Sequence, residues 1–459
     1  MAVADLPGLS SRANAQGSPS TSGNDLHGSP GRSRPDACPG ALQTHPAADG
    51  AVARIRVPGG ILTAAQLREL GAAATALGSG VIELTSRANV QVRGLDAEGE
   101  AAFASGMAAA GLLPSATHER VRNILASPMA GLDGRGLIEV APLVRELDHA
   151  LCARPALAGL PGRFLFALDD GRGDMTALGA DVAFVPIPAP AGGEEVEGAL
   201  LLAGEDRGLR IALTRAVPAM MAAAEAFLAE RTAQNSTAWR MAELDDGPAT
   251  IATRLGDFAG VTPPGHRTPV PDLSDMSAPP PLGLVSRPGR RATLVVMPPL
   301  GRLTTAQAYA LATAAEAGDG EIRLTPWRGA IVPGISGADA DSWLCRLAAT
   351  GLVTDPASAW TGVTACTGRP GCAKSLSDVQ ADAASSTARA GLPLIGAQTA
   401  GVLPVHWAGC ERRCGRPTGR AVLVVGTGNG YRVDADGRSL HYQDIEETAA
   451  AVATARRTG

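Results

Sequence analysis

The chain has 459 residues, 45% hydrophobic and 19% charged, with a formal net charge of −5. That length suits about three domains or one large pseudo-symmetric body. Only 3% of residues are aromatic, which with the acidic balance argues against nucleic-acid binding, and no apolar run approaches the ~20 residues of a membrane span.

The start of the chain has neither the charged opening nor the apolar stretch of a signal peptide. Residues 1–33 are rich in Ser, Gly, Asn and Pro and are expected to form a disordered tail. Next comes ARIRVPGGILTAAQLRELGAAATALGSGVIELTSRANVQV, read as strand, turn, helix and strand. A proline-dense stretch, residues 261–289, reads as an extended linker. Beyond it, TLVVMPPLGRLTTAQAYALATAAEAGDGEIRLTPWRGAIV repeats the first pattern. In both copies T-x-x-Q opens the helix (Thr63/Gln66 and Thr304/Gln307), a capping box in which Thr and Gln satisfy helix-end donors. GLLPSATHERVRNILASP and GLVTDPASAWTGVTACTG then align at an offset of 240 residues, which sets Cys366 against Ala126. The halves therefore read as a duplication. The expected architecture is α+β, with a pseudo-twofold axis and a site between the halves.

Of seven cysteines, four form two pairs, Cys366/Cys372 in ACTGRPGCAKS and Cys410/Cys414 in HWAGCERRCGRP. Four thiolates with this spacing suit a [4Fe–4S] cluster, with a zinc knot or unconnected thiols as alternatives. Nearby glycines allow close backbone approach, Arg369, Lys374, Arg412, Arg413 and Arg416 offset the charge, and AKSLSDVQADAAS reads as a helix whose N-terminus faces the cluster. The cysteine usage fits a reducing cytoplasm better than a disulfide framework.

The C-x5-C…G-C-x3-C-G-R arrangement, the R-x-R-x-P-G-G strand end and the duplication resemble the sulfite and nitrite reductase superfamily. RPDACPGALQTHPAADGAVARIRVPGG, IELTSRANVQVRGL and ACTGRPGCA are most similar to its precorrin-3B synthase family. The resemblance covers residues 34–445. It implies ferredoxin-like half-domains at 34–112 and 290–350 and larger α/β domains at 113–260 and 351–459, the last carrying the cluster. In sulfite reductase-like proteins the last cysteine, here Cys414, also bridges to a sirohaem iron. Arg54, Arg56, Arg87 and Arg122 match arginines that hold macrocycle carboxylates, and Arg93 and Arg120 join that group. A guanidinium grips carboxylates bidentately and keeps its charge, so the set suits an acetate- and propionate-rich tetrapyrrole. One departure stands out. Reductases carry a basic pair after L-P-x for their small anion; in LPGRFLF Arg163 fits the first position and Leu165 the second.

The resemblance then implies an O2-dependent monooxygenase of cobalamin biosynthesis. It would hydroxylate precorrin-3A at the meso carbon between rings A and D, with a ring A acetate closing a γ-lactone. It also implies a non-haem iron and an electron donor, a ferredoxin or an NADH-dependent reductase. Alternatives are a sirohaem-dependent nitrite or sulfite reductase and a non-catalytic iron–sulfur protein. His118 and His406 flank the pocket segments, but no pair has metal-ligand spacing. The Val425–Gly430 glycine run lacks the following helix of a dinucleotide loop and reads as a hairpin. Cys38 reads as an inert turn residue, Cys152 and Cys345 as buried apolar residues, and Asp169, Asp170 and Asp174 as a solvated hairpin tip.

Overall fold

The computed structural model describes residues 36–188, 196–256, 261–262, 278–285, 291–389, 402–417 and 419–457. The expected tail and most of the expected linker lie outside them. The linker's two ends are strands, Val261–Thr262 and Gly283–Val285, each paired with a neighbouring sheet.

The duplication is visible in the backbone. Helices Ala64–Leu77 and Thr305–Ala317 both open on complete capping boxes. Gln66 and Gln307 also donate to the Ala110 and Thr350 carbonyls, at 3.2 and 3.1 Å. The two helices pack antiparallel: Arg68 near the start of one pairs with Glu316 near the end of the other at 2.7 Å, and Thr75 meets Thr305 at 2.5 Å.

The halves exchange strands. Val81–Leu84 pairs with Arg302–Thr304, and Glu321–Leu324 pairs with Ile61–Thr63, so each five-stranded sheet ends on a strand of the other half. Gly60 makes this approach possible: at φ +72 a Cβ would stand 2.2 Å from the Leu324 carbonyl oxygen.

Each half continues into a second sheet, six-stranded in the first half and five-stranded in the second, that begins with three parallel strands and ends with antiparallel ones. In the first half these are Ile124–Ala126, Phe166–Leu168 and Val182–Pro186, in the second Val363–Ala365, Val405–Ala408 and Val422–Thr427. Alternate residues of the first sheet face opposite ways. Leu165, Ala167, Ala183 and Val185 join the core shared by the two half-domains, while Phe164, Phe166, Leu168 and Phe184 pack against helices Ala141–Cys152 and Ala216–Ala233. Strand Val422–Thr427 turns back antiparallel into Gly430–Ala435, the hairpin expected of the glycine run.

Three expectations need correction. The helix after Cys372 starts only at Val379. Residues 373–378 are tied into the cysteine loop, with Leu376 N–H donating to the Gly409 carbonyl at 2.8 Å and Ser375 Oγ to the Ser377 carbonyl at 2.7 Å. Cys345 is exposed and Cys152 half-buried. Asp169, Asp170 and Asp174 are buried, at 0%, 0% and 5% exposure. They avoid solvent because partners replace it: Asp169 accepts amides of Gly171, Gly173 and Met175, and Arg172 lies along Asp170 and Asp133. Among the described residues no helix is long and apolar enough to cross a membrane.

Candidate active site

One row of side chains crosses the first half-domain sheet. Its register sets Arg54 opposite Gln91, Gln91 opposite Glu83, and Glu83 opposite Arg302. Arg54 Nε donates to Gln91 Oε1 at 2.9 Å, and Gln91 Nε2 donates to Glu83 at 3.0 Å. The corresponding row of the other sheet is Val295, Ile331, Arg323 and Ile61. Only one of the two duplicated sheets therefore carries this polar row.

Arg56 and Arg87 complete the group. Arg56 is 1% exposed, and its Nε donates to the Arg120 carbonyl at 3.1 Å. Its Nη1 and Nη2 have no hydrogen-bond partner among the described residues. Burial first, then the charge of Arg54, pushes its pKa down to about 9. Arg87 lies in the hairpin turn after Thr85; burial and the neighbouring Arg240 push it down to about 10. Buried guanidinium nitrogens without an acceptor are costly, and an acidic ligand would relieve them.

The other matched arginines are already engaged. Arg122 holds Asp148 through Nε and Nη2, both at 2.7 Å, and donates to the Leu112 carbonyl. Arg120 bonds Gln43 and the Asp36 carbonyl. Arg93 pairs with Asp49 at 2.9 Å and donates to the Gly371 carbonyl at 2.8 Å. That last bond docks the Cys366–Cys372 loop onto the sheet that carries the polar row. Arg163 is exposed, with its guanidinium 5.3 Å from the centre of the Trp239 ring. Leu165 is 2% exposed in the core.

All four motif cysteines are free thiols on the second half's loops. Gly409 N–H donates to Cys366 Sγ at 3.2 Å. A Cβ at Gly409 would stand 1.8 Å from Ser375 Oγ, so the backbone approach needs glycine. Burial raises the Cys366 pKa, the Gly409 and Gly368 amides oppose it, and the facing Cys414 and Cys372 add to the rise. No three of these thiols lie within the 4.8 Å of a single-ion ligand shell; among the described residues only Asp169, Asp170 and Asp174 do. Soft donors and an amide aimed at sulfur fit an iron–sulfur cluster.

Neither histidine offers a free nitrogen. His118 bonds Ser115, Thr117 and the Arg154 carbonyl, and His406 bonds Thr364 at 2.9 Å and the Cys414 carbonyl at 3.1 Å. Burial and the nearby Arg328 push His406 down to about 4, which keeps it neutral at pH 7. Neither therefore fits as a ligand for the implied non-haem iron.

Arg328 escaped the sequence reading. It holds φ +60 in the turn that repeats Ala88 (φ +53), a strained conformation for a long side chain. A Cβ at Gly415, beside Cys414, would stand 3.4 Å from Arg328 Nη2 and 3.6 Å from His406 Cε1. The repeat itself held the signal, since TPWRG places an arginine where TSRAN has alanine.

The nitrite/sulfite reductase ferredoxin-like half domain matches this chain twice, at residues 45–110 and 285–350. The chain is 29% identical over 421 residues to a ferredoxin–nitrite reductase of Synechococcus elongatus, across 86% of this chain and 79% of that one. It is 26% identical over 422 residues to a precorrin-3B synthase of Sinorhizobium sp, across 88% and 83%. The solved structure of Mycobacterium tuberculosis NirA superimposes with a TM-score of 0.68 at 22% identity, covering 88% of this chain and 79% of that one. Fold and matches together show a duplicated α+β fold with two ferredoxin-like half domains similar to those of nitrite/sulfite reductases. The resemblance read from the sequence, to precorrin-3B synthase within that superfamily, is met by these relatives.

Proposed function

We propose that this oxidoreductase is a precorrin-3B synthase, an iron–sulfur monooxygenase that takes precorrin-3A and O2. The observation that carries the reading is the group of Arg54, Arg56 and Arg87 at the end of one sheet, with Arg56 Nη1 and Nη2 buried and without an acceptor among the described residues. Such a group suits a ligand with several carboxylates, as a precorrin has.

In this reading Cys366, Cys372, Cys410 and Cys414 hold a [4Fe–4S] cluster, which when bound supplies electrons one at a time. Arg54, Arg56 and Arg87 grip the acetate and propionate groups, and Arg328 adds positive charge from the cluster side. The Arg93–Gly371 bond keeps the cysteine loop against the sheet, so that the ligand is held at a fixed distance from the thiols. Hydroxylation at the meso carbon between rings A and D and closure of the γ-lactone come from the family resemblance. A ferredoxin, as in the relatives named for it, or an NADH-dependent reductase would donate electrons. In this reading residues 34–112 and 290–350 serve as ferredoxin-like half-domains, and 113–260 and 351–459 as the two larger domains.

The second reading, a sirohaem-dependent nitrite or sulfite reductase, is favoured by the nitrite reductase likeness. Leu165 counts against it, since its core position offers no charge to a small anion. Anaerobic purification with a visible spectrum separates the two. An iron–sulfur spectrum without sirohaem bands, followed by O2-dependent loss of precorrin-3A, is the expected result. Copurifying sirohaem that reacts with nitrite or sulfite would overturn it.

A further inference from the structure

Residues 36–43 belong to no sheet, yet they are fastened at both ends. The Asp36 carboxylate accepts the amides of Cys38, at 3.0 Å, and of Gly162, and it faces Arg120 at 3.4 Å. Glu119 accepts the amides of Ala41, Leu42 and Gln43. Cys38 is held between these anchors. A Cβ at Gly162 would stand 3.0 Å from Cys38 Cβ and 3.5 Å from the Arg120 carbonyl oxygen, the same oxygen that accepts Arg56 Nε. Cys38 and the Arg56 guanidinium therefore converge on one small region, where Nη1 and Nη2 of Arg56 lack partners among the described residues.

We propose that Cys38 contacts the bound ligand: its thiol lies beside the carboxylates that Arg54, Arg56 and Arg87 take up, and residues 36–43 are the strap that holds it there. This rests on the carboxylate-binding reading of the pocket. The residue type follows from the charges around it. The Asp36 carboxylate already bonds the Cys38 side chain and acts on Arg54; a second aspartate here would neutralise the arginines further and repel an acidic ligand, whereas a thiol is small, polarisable and only a weak hydrogen-bonding group. It can line the pocket without becoming a permanent counter-ion.

The test uses the full chain with its cluster reconstituted and uroporphyrin, a carboxylate-rich tetrapyrrole, as probe. Binding is followed by the shift of the probe's Soret band. Labelling by the neutral reagent N-ethylmaleimide is read at each cysteine by peptide mass mapping, with the exposed Cys345 as internal control. Uroporphyrin at ten times its Kd is expected to slow Cys38 labelling about 10-fold and to leave Cys345 unchanged. Cys38→Ser is expected to keep binding within a few-fold, and Cys38→Asp to lose it. A Soret shift with Cys38 labelling unchanged would overturn the inference and leave the proposed function standing. No Soret shift at all would remove the carboxylate pocket, and this inference with it.

Discussion

Ser127 stands in the first half where Cys366 stands in the second. Ser127 N–H donates to the Leu168 carbonyl as Cys366 N–H does to that of Trp407, at 3.1 and 2.8 Å. Ser127 Oγ accepts the Asp170 amide at 3.0 Å, as Cys366 Sγ accepts that of Gly409 at 3.2 Å. Backbone bonding thus aligns Cys366 with Ser127, one residue beyond the Ala126 suggested by sequence. The buried carboxylates Asp169, Asp170 and Asp174 follow the strand that corresponds to the one before Cys410 and Cys414.

This equivalence makes Cys366→Ser an informative variant. A hydroxyl already makes the same strand-to-loop bond in the first half, so the fold is expected to persist. The cluster's broad visible absorbance should disappear, while far-UV circular dichroism stays unchanged. A variant that kept full iron and sulfide content would remove Cys366 from the ligand set.

Arg56 trades stability for binding. With its pKa pushed down to about 9, the cost of its buried charge is complete at pH 7 and is relieved only as pH rises through that value. Arg56→Met is expected to stabilise the ligand-free protein by on the order of 1–3 kcal/mol. It should weaken uroporphyrin binding at least about 10-fold, the loss of one charged hydrogen-bonding group. Thermal unfolding and a Soret titration measure the two effects, and a destabilised variant with unchanged affinity would refute the assignment.

Arg122 is expected to behave differently, because Asp148 already takes both ends of its fork. Removing Asp148 leaves the buried Arg122 charge uncompensated, at about 3–5 kcal/mol, whereas removing Arg122 leaves the partly exposed Asp148 at a smaller cost. In a double-mutant cycle, Arg122→Ala with Asp148→Ala should recover part of that loss. Additive losses would mean that the pair is not coupled and that Arg122 acts elsewhere.

Much of this was legible in the sequence because it rests on local chemistry. Thr63 and Thr304 announced their capping boxes, and the Val425–Gly430 run lacked the helix that a nucleotide loop requires. The exchanged strands were not legible, since Arg302 facing Glu83 is a register between segments far apart in the chain. Nor was the burial of Asp169 and Asp170, which depends on amides and an arginine folding back over them. Six arginines looked alike in sequence; only packing separated Arg56, whose Nη1 and Nη2 lack partners among the described residues, from Arg93 and Arg122.

Asp174 gives the fold a pH dependence. Burial and the neighbouring Asp169 charge push its pKa up to about 7, although Ser127 Oγ donates to it at 2.5 Å. Since the folded value lies above that of an unfolded aspartate, the stability this carboxyl contributes is complete below about pH 4 and is lost as pH rises through about 7. Asp174→Asn is therefore expected to match wild type near pH 4 and to exceed it at pH 8 by on the order of 4 kcal/mol. Denaturant unfolding at the two values decides the matter, and a difference that did not change with pH would exclude titration of Asp174.

Leu165 separates the two functional readings. The resemblance sets it at the second position of a basic pair, yet it is 2% exposed, and its amide donates to Asp181 at 2.8 Å. A lysine there would carry its ammonium into the shared core rather than toward a small anion. Leu165→Lys is expected to cost roughly 3 kcal/mol or more through desolvation, and to gain no nitrite or sulfite reduction when sirohaem is supplied. A variant that unfolded at the wild-type temperature and reduced nitrite would show that position 165 reaches the pocket. The reductase reading would then displace the tetrapyrrole-substrate one.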